Sequence, residues 1–122
     1  GLVGCVIDGV TRDIDEYKDL SLPVYGRGFI QQSIRNRCAC AGYQIQVELG
    51  GVPVHPGDLV MADENGVCIV PKDRMEEVLG YAQLFKLIED RIIKAVRDGV
   101  DPVIAHEKVR YDLMTKAGYE PN

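Results

Sequence analysis

The sequence lacks features that mark several common classes of protein. No apolar run approaches the roughly 20 residues that a membrane-spanning helix needs, so we expect no membrane span. The 122 residues carry a formal net charge of −5, whereas a nucleic-acid-binding face needs an excess of lysine and arginine. No glycine-rich phosphate loop of the Rossmann or Walker form is present. These absences argue against a membrane protein, a nucleic-acid-binding module and the two common nucleotide-binding motifs.

The two histidines and four cysteines argue against two further classes of site, a histidine-activated nucleophile and a zinc knuckle. Neither histidine has a convincing nucleophile partner, which argues against a Ser-His or Cys-His enzyme. Cys38 and Cys40 are too close together for a zinc knuckle, and no matching second pair follows. Cys5 and Cys68 fall in apolar runs, where a free thiol behaves as a small hydrophobe. We therefore expect reduced thiols and a cytoplasmic location.

The hydrophobic pattern predicts an α/β fold with short strands first and long helices last. The length is that of a single domain, residues 1–122. Strands are predicted at residues 2–7, 23–25, 43–49, 52–54, 59–62 and 67–70, with turns at 8–9, 26–28, 50–51, 56–58 and 63–66. Helices are predicted at residues 13–20, over about 25 residues up to Gly99, and from Asp101-Pro102 onward. Asp58 and Asp63 lie at turns, which favours backbone-binding roles over a metal pair.

The pair Arg12–Asp13 is the first candidate site. It follows an apolar strand and precedes a short helix, and in α/β proteins ligands bind near the carboxyl ends of strands. In one interpretation Asp13 caps the helix together with Glu16 and Arg12 is a surface cation. In the other, Asp13 is a ligand to a hard cation such as Mg²⁺ and Arg12 binds a substrate carboxylate. The residues alone leave both interpretations open.

Other charged residues also allow two interpretations. Glu89 lies within or beside the apolar stripe of the long predicted helix, where a carboxylate needs a partner. It is either paired with a nearby lysine or arginine, or an acid that reaches a site across a subunit interface. Arg35 and Arg37 are interpreted as surface charges or as contacts to a neighbouring subunit.

Three blocks of the sequence resemble one family. Residues 6–17 resemble a V-x-D-G-x-x-R-D motif followed by an acidic and an aromatic residue, and residues 23–28 resemble P-V-[FY]-x-R-G. Residues 51–71 resemble G-V-x-V-x-P-G-D-x-[VI]-x-A-D-x-x-G-V-x-x-[VI]-P. In this combination and order they resemble the RraA-like family, which includes the 4-hydroxy-4-methyl-2-oxoglutarate aldolases.

The resemblance implies a fold, a chemistry and an assembly. The fold would be an RraA-like swivelling β/β/α domain, assembled as homotrimers or homohexamers with sites between subunits. The chemistry would be a lyase reaction dependent on Mg²⁺ or Mn²⁺, in which 4-hydroxy-2-oxo dicarboxylates are cleaved to pyruvate and oxaloacetate is decarboxylated as a side reaction. Asp13 would bind the metal, Arg12 would bind substrate and act in catalysis, and Glu89 would act catalytically in an adjacent subunit.

The resemblance also leaves alternatives open. A glycine-rich G-D-N-type loop of the family, expected before the first strand, has no counterpart in these residues. We expect that the sequence is the C-terminal part of a longer protein, that another chain supplies the loop, or that this form is inactive without it. A further alternative is a non-catalytic member of the family that binds and inhibits a ribonuclease.

Overall fold

The structure, a computed structural model, describes residues 1–107. Its elements in chain order are β1 (Cys5–Thr11), α1 (Ile14–Asp19), β2 (Val24–Phe29), β3 (Val47–Leu49), β4 (Val52–Val54), β5 (Leu59–Asp63), β6 (Gly66–Val70), a 3₁₀ turn (Lys72–Arg74), α2 (Met75–Arg97) and α3 (Pro102–Glu107). The predicted α/β fold with short strands, a hairpin and a long helix is confirmed. The part of the predicted last helix beyond residue 107 lies outside the described residues.

The chain divides into two compact units, Gly1–Met75 and the residues from Glu76 onward. Each is described by itself, and the single domain over residues 1–122 stays a prediction. In the first unit the strands form three two-stranded sheets: β1 pairs with β2 in parallel, and the pairs β3–β4 and β5–β6 are antiparallel. Among the described helices, none is both long and apolar enough to cross a membrane.

The β5–β6 hairpin forms as predicted. Asp63 accepts a hydrogen bond from the Asn65 backbone N–H at 2.7 Å, and Gly66 has a φ of 142°, which a side chain would disfavour. The Asn65 amide groups lower the pKa of Asp63. These local contacts explain why the sequence pattern alone places this turn correctly.

Strands β1 and β2 differ from the prediction because a bulge, rather than a turn, lies at Asp8 and Gly9. Ile7 pairs with Gly26 and Val10 pairs with Gly28, so three steps along β1 face two steps along β2. A Cβ atom on Gly26 would lie 3.2 Å from the Gly9 carbonyl oxygen. The glycines that predicted a turn in β1 and a break in β2 instead allow the two backbones to approach.

The predicted strand over residues 43–49 is wrong for its first four residues. β3 pairs only with the three residues of β4, and Gln44 has a φ of 55°, which is incompatible with an extended strand. The predicted first strand is also shifted, because Leu2 and Val3 are 80% and 94% exposed rather than buried. Alternation of apolar and polar residues specifies a face, but it does not supply a pairing partner.

The second unit is built on α2, whose 23 residues match the predicted length. Its buried residues are Ile88 and Ile92, and the partly buried residues packed against them are Leu84, Phe85, Val96 and Ala105. Ala105 belongs to α3, so these apolar contacts join the two helices. The sequence pattern also predicts that Asp73 caps α2 and that Glu76 completes a capping box. This prediction is wrong, because Asp73 lies inside the 3₁₀ turn that precedes α2.

Candidate active site at the end of the first strand

Arg12 and Asp13 form an ion pair where β1 ends and α1 begins. Arg12 Nε lies 3.2 Å from Asp13 Oδ2, and the two side chains are 49% and 59% exposed. The contact engages one carboxylate oxygen of Asp13. Both side chains therefore remain accessible to a ligand from solvent.

The backbone of Asp13 is left-handed. Its φ and ψ are 63° and 44°, and although it occupies the N-cap position of α1, its side chain makes no capping hydrogen bond. The predicted capping box with Glu16 is therefore wrong. N-caps that bond to the helix amides normally have an extended backbone, whereas here the carboxylate contacts Arg12 instead.

Two cavities meet at this pair. One has a volume of about 480 Å³ and is also lined by Asp15, Glu16 and Phe29. The other has a volume of about 490 Å³, with aliphatic side chains and Arg37 in its lining. Both volumes fall in the range of small-molecule binding pockets, about 300–1,000 Å³. The structure thus places the predicted pair beside space for a small ligand.

Asp8 and Arg27 support the strand that carries the pair, and the sequence analysis assigned them no role. Arg27 on β2 donates a hydrogen bond to Asp8 Oδ1, and the Gly50 backbone N–H donates to Asp8 Oδ2 at 2.9 Å. The Arg27 hydrogen bond, followed by that of Gly50, lowers the pKa of Asp8, and Asp8 in turn raises the pKa of Arg27. Both residues fall in the blocks that resemble the family, which was the signal for their importance.

Asp58 binds backbone N–H groups, as its position at a turn predicted. Its carboxylate accepts hydrogen bonds from the backbone N–H groups of His55 at 2.8 Å and Lys72 at 2.9 Å. These two bonds, in that order, lower the pKa of Asp58. The carboxylate ties the turn before β5 to the start of the 3₁₀ turn and is already occupied by protein groups.

Glu89 lies on α2 in the second unit, and its side chain is exposed. Within residues 1–107 it makes no hydrogen bond or ion pair, so the predicted pairing with a lysine or arginine is not found there. The neighbouring Lys86 is paired with Asp90. A catalytic role for Glu89 stays a prediction.

The donor set near Asp13 fits a lightly coordinated hard cation. No group of three or more His, Cys, Asp or Glu side chains that could hold a metal occurs in the described part of the chain. Mg²⁺, however, keeps several waters and needs only one or two protein carboxylates. Asp13 can supply one such carboxylate, through the oxygen that does not contact Arg12.

Comparison with known proteins identifies the family. The RraA-like family, described as Aldolase/RraA, matches residues 1–69. The chain belongs to this family, as its sequence motifs predicted. Because the match covers both the Arg12–Asp13 pair and the strands that support it, the pair lies in the part of the chain that defines the family.

Individual relatives agree with this assignment. Protein DlpA of Legionella pneumophila is 33% identical over 91% of this chain and 18% of its own length. A protein of Halalkalibacterium halodurans named "Putative 4-hydroxy-4-methyl-2-oxoglutarate aldolase" is 32% identical over 87% of this chain and 50% of its own length. An uncharacterized protein from Pseudomonas syringae has a crystal structure that matches with a TM-score of 0.75 and 34% identity, over 80% of this chain and 49% of that one. The chain thus spans half or less of the length of these relatives.

Proposed function

We propose that this chain acts in a divalent-metal-dependent aldolase reaction that cleaves 4-hydroxy-2-oxo dicarboxylates and releases pyruvate. The observation that carries the proposal is the exposed Arg12–Asp13 pair at the end of β1, facing two cavities of about 480 and 490 Å³. The name of the Halalkalibacterium relative supports the substrate class. Oxaloacetate decarboxylation is included because it shares the same product enolate.

The two side chains suit the electronic demand of this cleavage. The bond between C3 and C4 breaks, the C4 hydroxyl loses its proton and becomes a carbonyl, and the electron pair passes to the enolate of pyruvate. Arg12 would hold the substrate carboxylate and stabilise the negative charge that develops on the 2-oxo oxygen. Asp13 would hold Mg²⁺ or Mn²⁺, which supplies Lewis acidity when bound.

The proton from the C4 hydroxyl needs an acceptor, for which a water or Glu89 is suited. We place Glu89 in the site of a second copy of the chain, in a trimer or hexamer. The support for this assignment is an exposed carboxylate on α2 without a partner among residues 1–107. Within such an oligomer, a carboxylate from one subunit would act as general base toward substrate bound at Arg12 of another.

The test is pyruvate release from 4-hydroxy-2-oxoglutarate and from oxaloacetate, measured with Mg²⁺ and with excess chelator. We expect release that depends on Mg²⁺ and falls by about 10²-fold or more in Asp13→Asn, as is typical for loss of a group that stabilises developing charge. Asp19→Asn is the matched control, because Asp19 is an exposed residue at the end of the same helix. Metal-independent release, or full activity in Asp13→Asn, would contradict the proposal.

A further inference from the structure

Arg37 lines the same cavity as Arg12. This cavity of about 490 Å³ has aliphatic walls that include Ile7, Ile30 and Ile34. Apolar walls with a few charged groups are typical of small-molecule sites. Two arginines, Arg12 and Arg37, therefore line one partly open cavity, in a chain whose net charge is −5.

A tight turn fixes the backbone of Arg37 beside the cavity wall. The Arg37 N–H donates to the Ile34 carbonyl oxygen at 2.9 Å, and Asn36 between them has a φ of 61°. Asparagine tolerates this left-handed conformation better than most residues. Ile34 and Arg37, which this turn holds together, therefore both line the cavity.

The guanidinium of Arg37 is available to a ligand. It is exposed and makes no hydrogen bond or ion pair within the described residues 1–107. By contrast, Arg12 contacts Asp13 and Arg27 contacts Asp8. Among these three arginines, Arg37 alone has a charge that no described carboxylate offsets.

We infer that Arg37 binds the distal carboxylate of a dicarboxylic 2-oxo acid whose 2-oxo end lies at Arg12, and that it determines the preference for dicarboxylates. This inference rests on the proposed function for the location of the 2-oxo end. A second carboxylate would form charge-assisted, bidentate hydrogen bonds to Arg37. A monocarboxylic 2-oxo acid of the same length would leave Arg37 without an acceptor.

The test compares two ligands of equal chain length that an aldolase cannot cleave. Binding of 2-oxoglutarate and of 2-oxopentanoate is measured by calorimetry with Mg²⁺ for the full chain and for three variants. We expect the unmodified chain to prefer 2-oxoglutarate by about tenfold or more, the size of a charged hydrogen bond. Arg37→Gln removes this preference without weakening 2-oxopentanoate, and Arg37→Lys retains part of it. Arg35→Gln retains all of it, because Arg35 is exposed and outside the lining of the cavity.

Each other outcome overturns the inference. Equal affinity for the two ligands, no binding of either, or an unchanged preference in Arg37→Gln would each exclude Arg37 as the discriminating residue. If Arg37→Gln changes the mass of the assembly in light scattering but not the preference, Arg37 is a subunit contact instead.

The inference and the proposed function can fail separately. An Arg37-dependent preference without any pyruvate release would refute the aldolase and leave a dicarboxylate-binding site. Pyruvate release that in Arg37→Gln still favours dicarboxylic over monocarboxylic 4-hydroxy-2-oxo acids as strongly as in the unmodified chain would refute the inference alone.

Discussion

The left-handed backbone of Asp13 allows its conformational and chemical roles to be separated. The left-handed conformation destabilises a residue with a Cβ by about 1–2 kcal/mol, and aspartate and asparagine tolerate it best. Asp13→Gly and Asp13→Ala both remove the carboxylate, but only the alanine variant keeps a Cβ at a φ of 63°. The difference in stability between the two variants therefore measures the free-energy cost of the left-handed backbone at residue 13.

The expected magnitude follows from two opposing terms. Glycine avoids the left-handed penalty but loses about 0.5–1 kcal/mol more conformational entropy on folding than alanine. The net result is a Gly variant more stable than the Ala variant by about 0.5–1 kcal/mol, or about 2–4 °C in Tm for a chain of this size. Loss of the ion pair is common to both variants, and exposed pairs contribute only about 0–1 kcal/mol.

Thermal unfolding followed by circular dichroism measures this difference, and pyruvate release measures the chemical loss in the same samples. We expect both variants to be inactive, with the Gly variant unfolding at the higher temperature. An Ala variant as stable as the Gly variant would show that residue 13 is not left-handed in solution. Retained activity in either variant would remove the Asp13 carboxylate from the mechanism.

Three further predictions concern stability. Ile92→Ala should lower the free energy of unfolding by about 2–3 kcal/mol in urea titrations, because Ile92 is buried. Ile93→Ala is the control, and we expect a clearly smaller loss because Ile93 is 48% exposed on the same helix. Equal losses in the two variants would contradict the assignment of Ile92 to the core. Gly80→Ala should stabilise α2 by about 1 kcal/mol, since an added Cβ at Gly80 meets no atom within 4 Å; a lower Tm would show that the helix does not pass through residue 80. Because the pKa of Asp58 is lowered in the folded protein, its carboxylate stabilises the fold above the unfolded pKa, near 3.8, and this stabilisation is lost as the pH falls below that value. The unfolding midpoint of Asp58→Asn should therefore depend less on pH in this acid range than that of the unmodified chain. An equal pH dependence of the two midpoints would contradict the assigned hydrogen bonds.

Local signals in the sequence predicted those elements whose contacts are themselves local. The β5–β6 hairpin was predictable because Asp63 bonds to Asn65 two residues away. The length of α2 followed from an apolar repeat that includes the buried residues Ile88 and Ile92 and continues to Val96. In each case the pattern that predicts the element is local, since it spans a few residues or follows one face of a helix.

The elements that were wrongly predicted depend on distant partners. Asp8 is bound by Arg27, 19 residues away, and by Gly50, 42 residues away, and neither contact is visible in a local pattern. The dipeptide Asp8-Gly9 therefore predicted a turn where tertiary contacts hold a bulged strand. For the candidate site, the motif identified Arg12 and Asp13, but the left-handed backbone and the proximity of Arg37 required coordinates.

The bulge in β1 has a consequence for variation in chain length. Side chains of a strand alternate between its two faces, and the extra residue between Ile7 and Val10 inverts that alternation for everything after it. Gly26 and Gly28 share one face of β2, so their partners Ile7 and Val10 also share a face although they lie three residues apart. Removal of Gly9 would therefore restore ordinary pairing and leave Thr11 and Arg12 on their present sides, whereas removal of both Asp8 and Gly9 would leave no residue between Ile7 and Val10 and would displace the arginine.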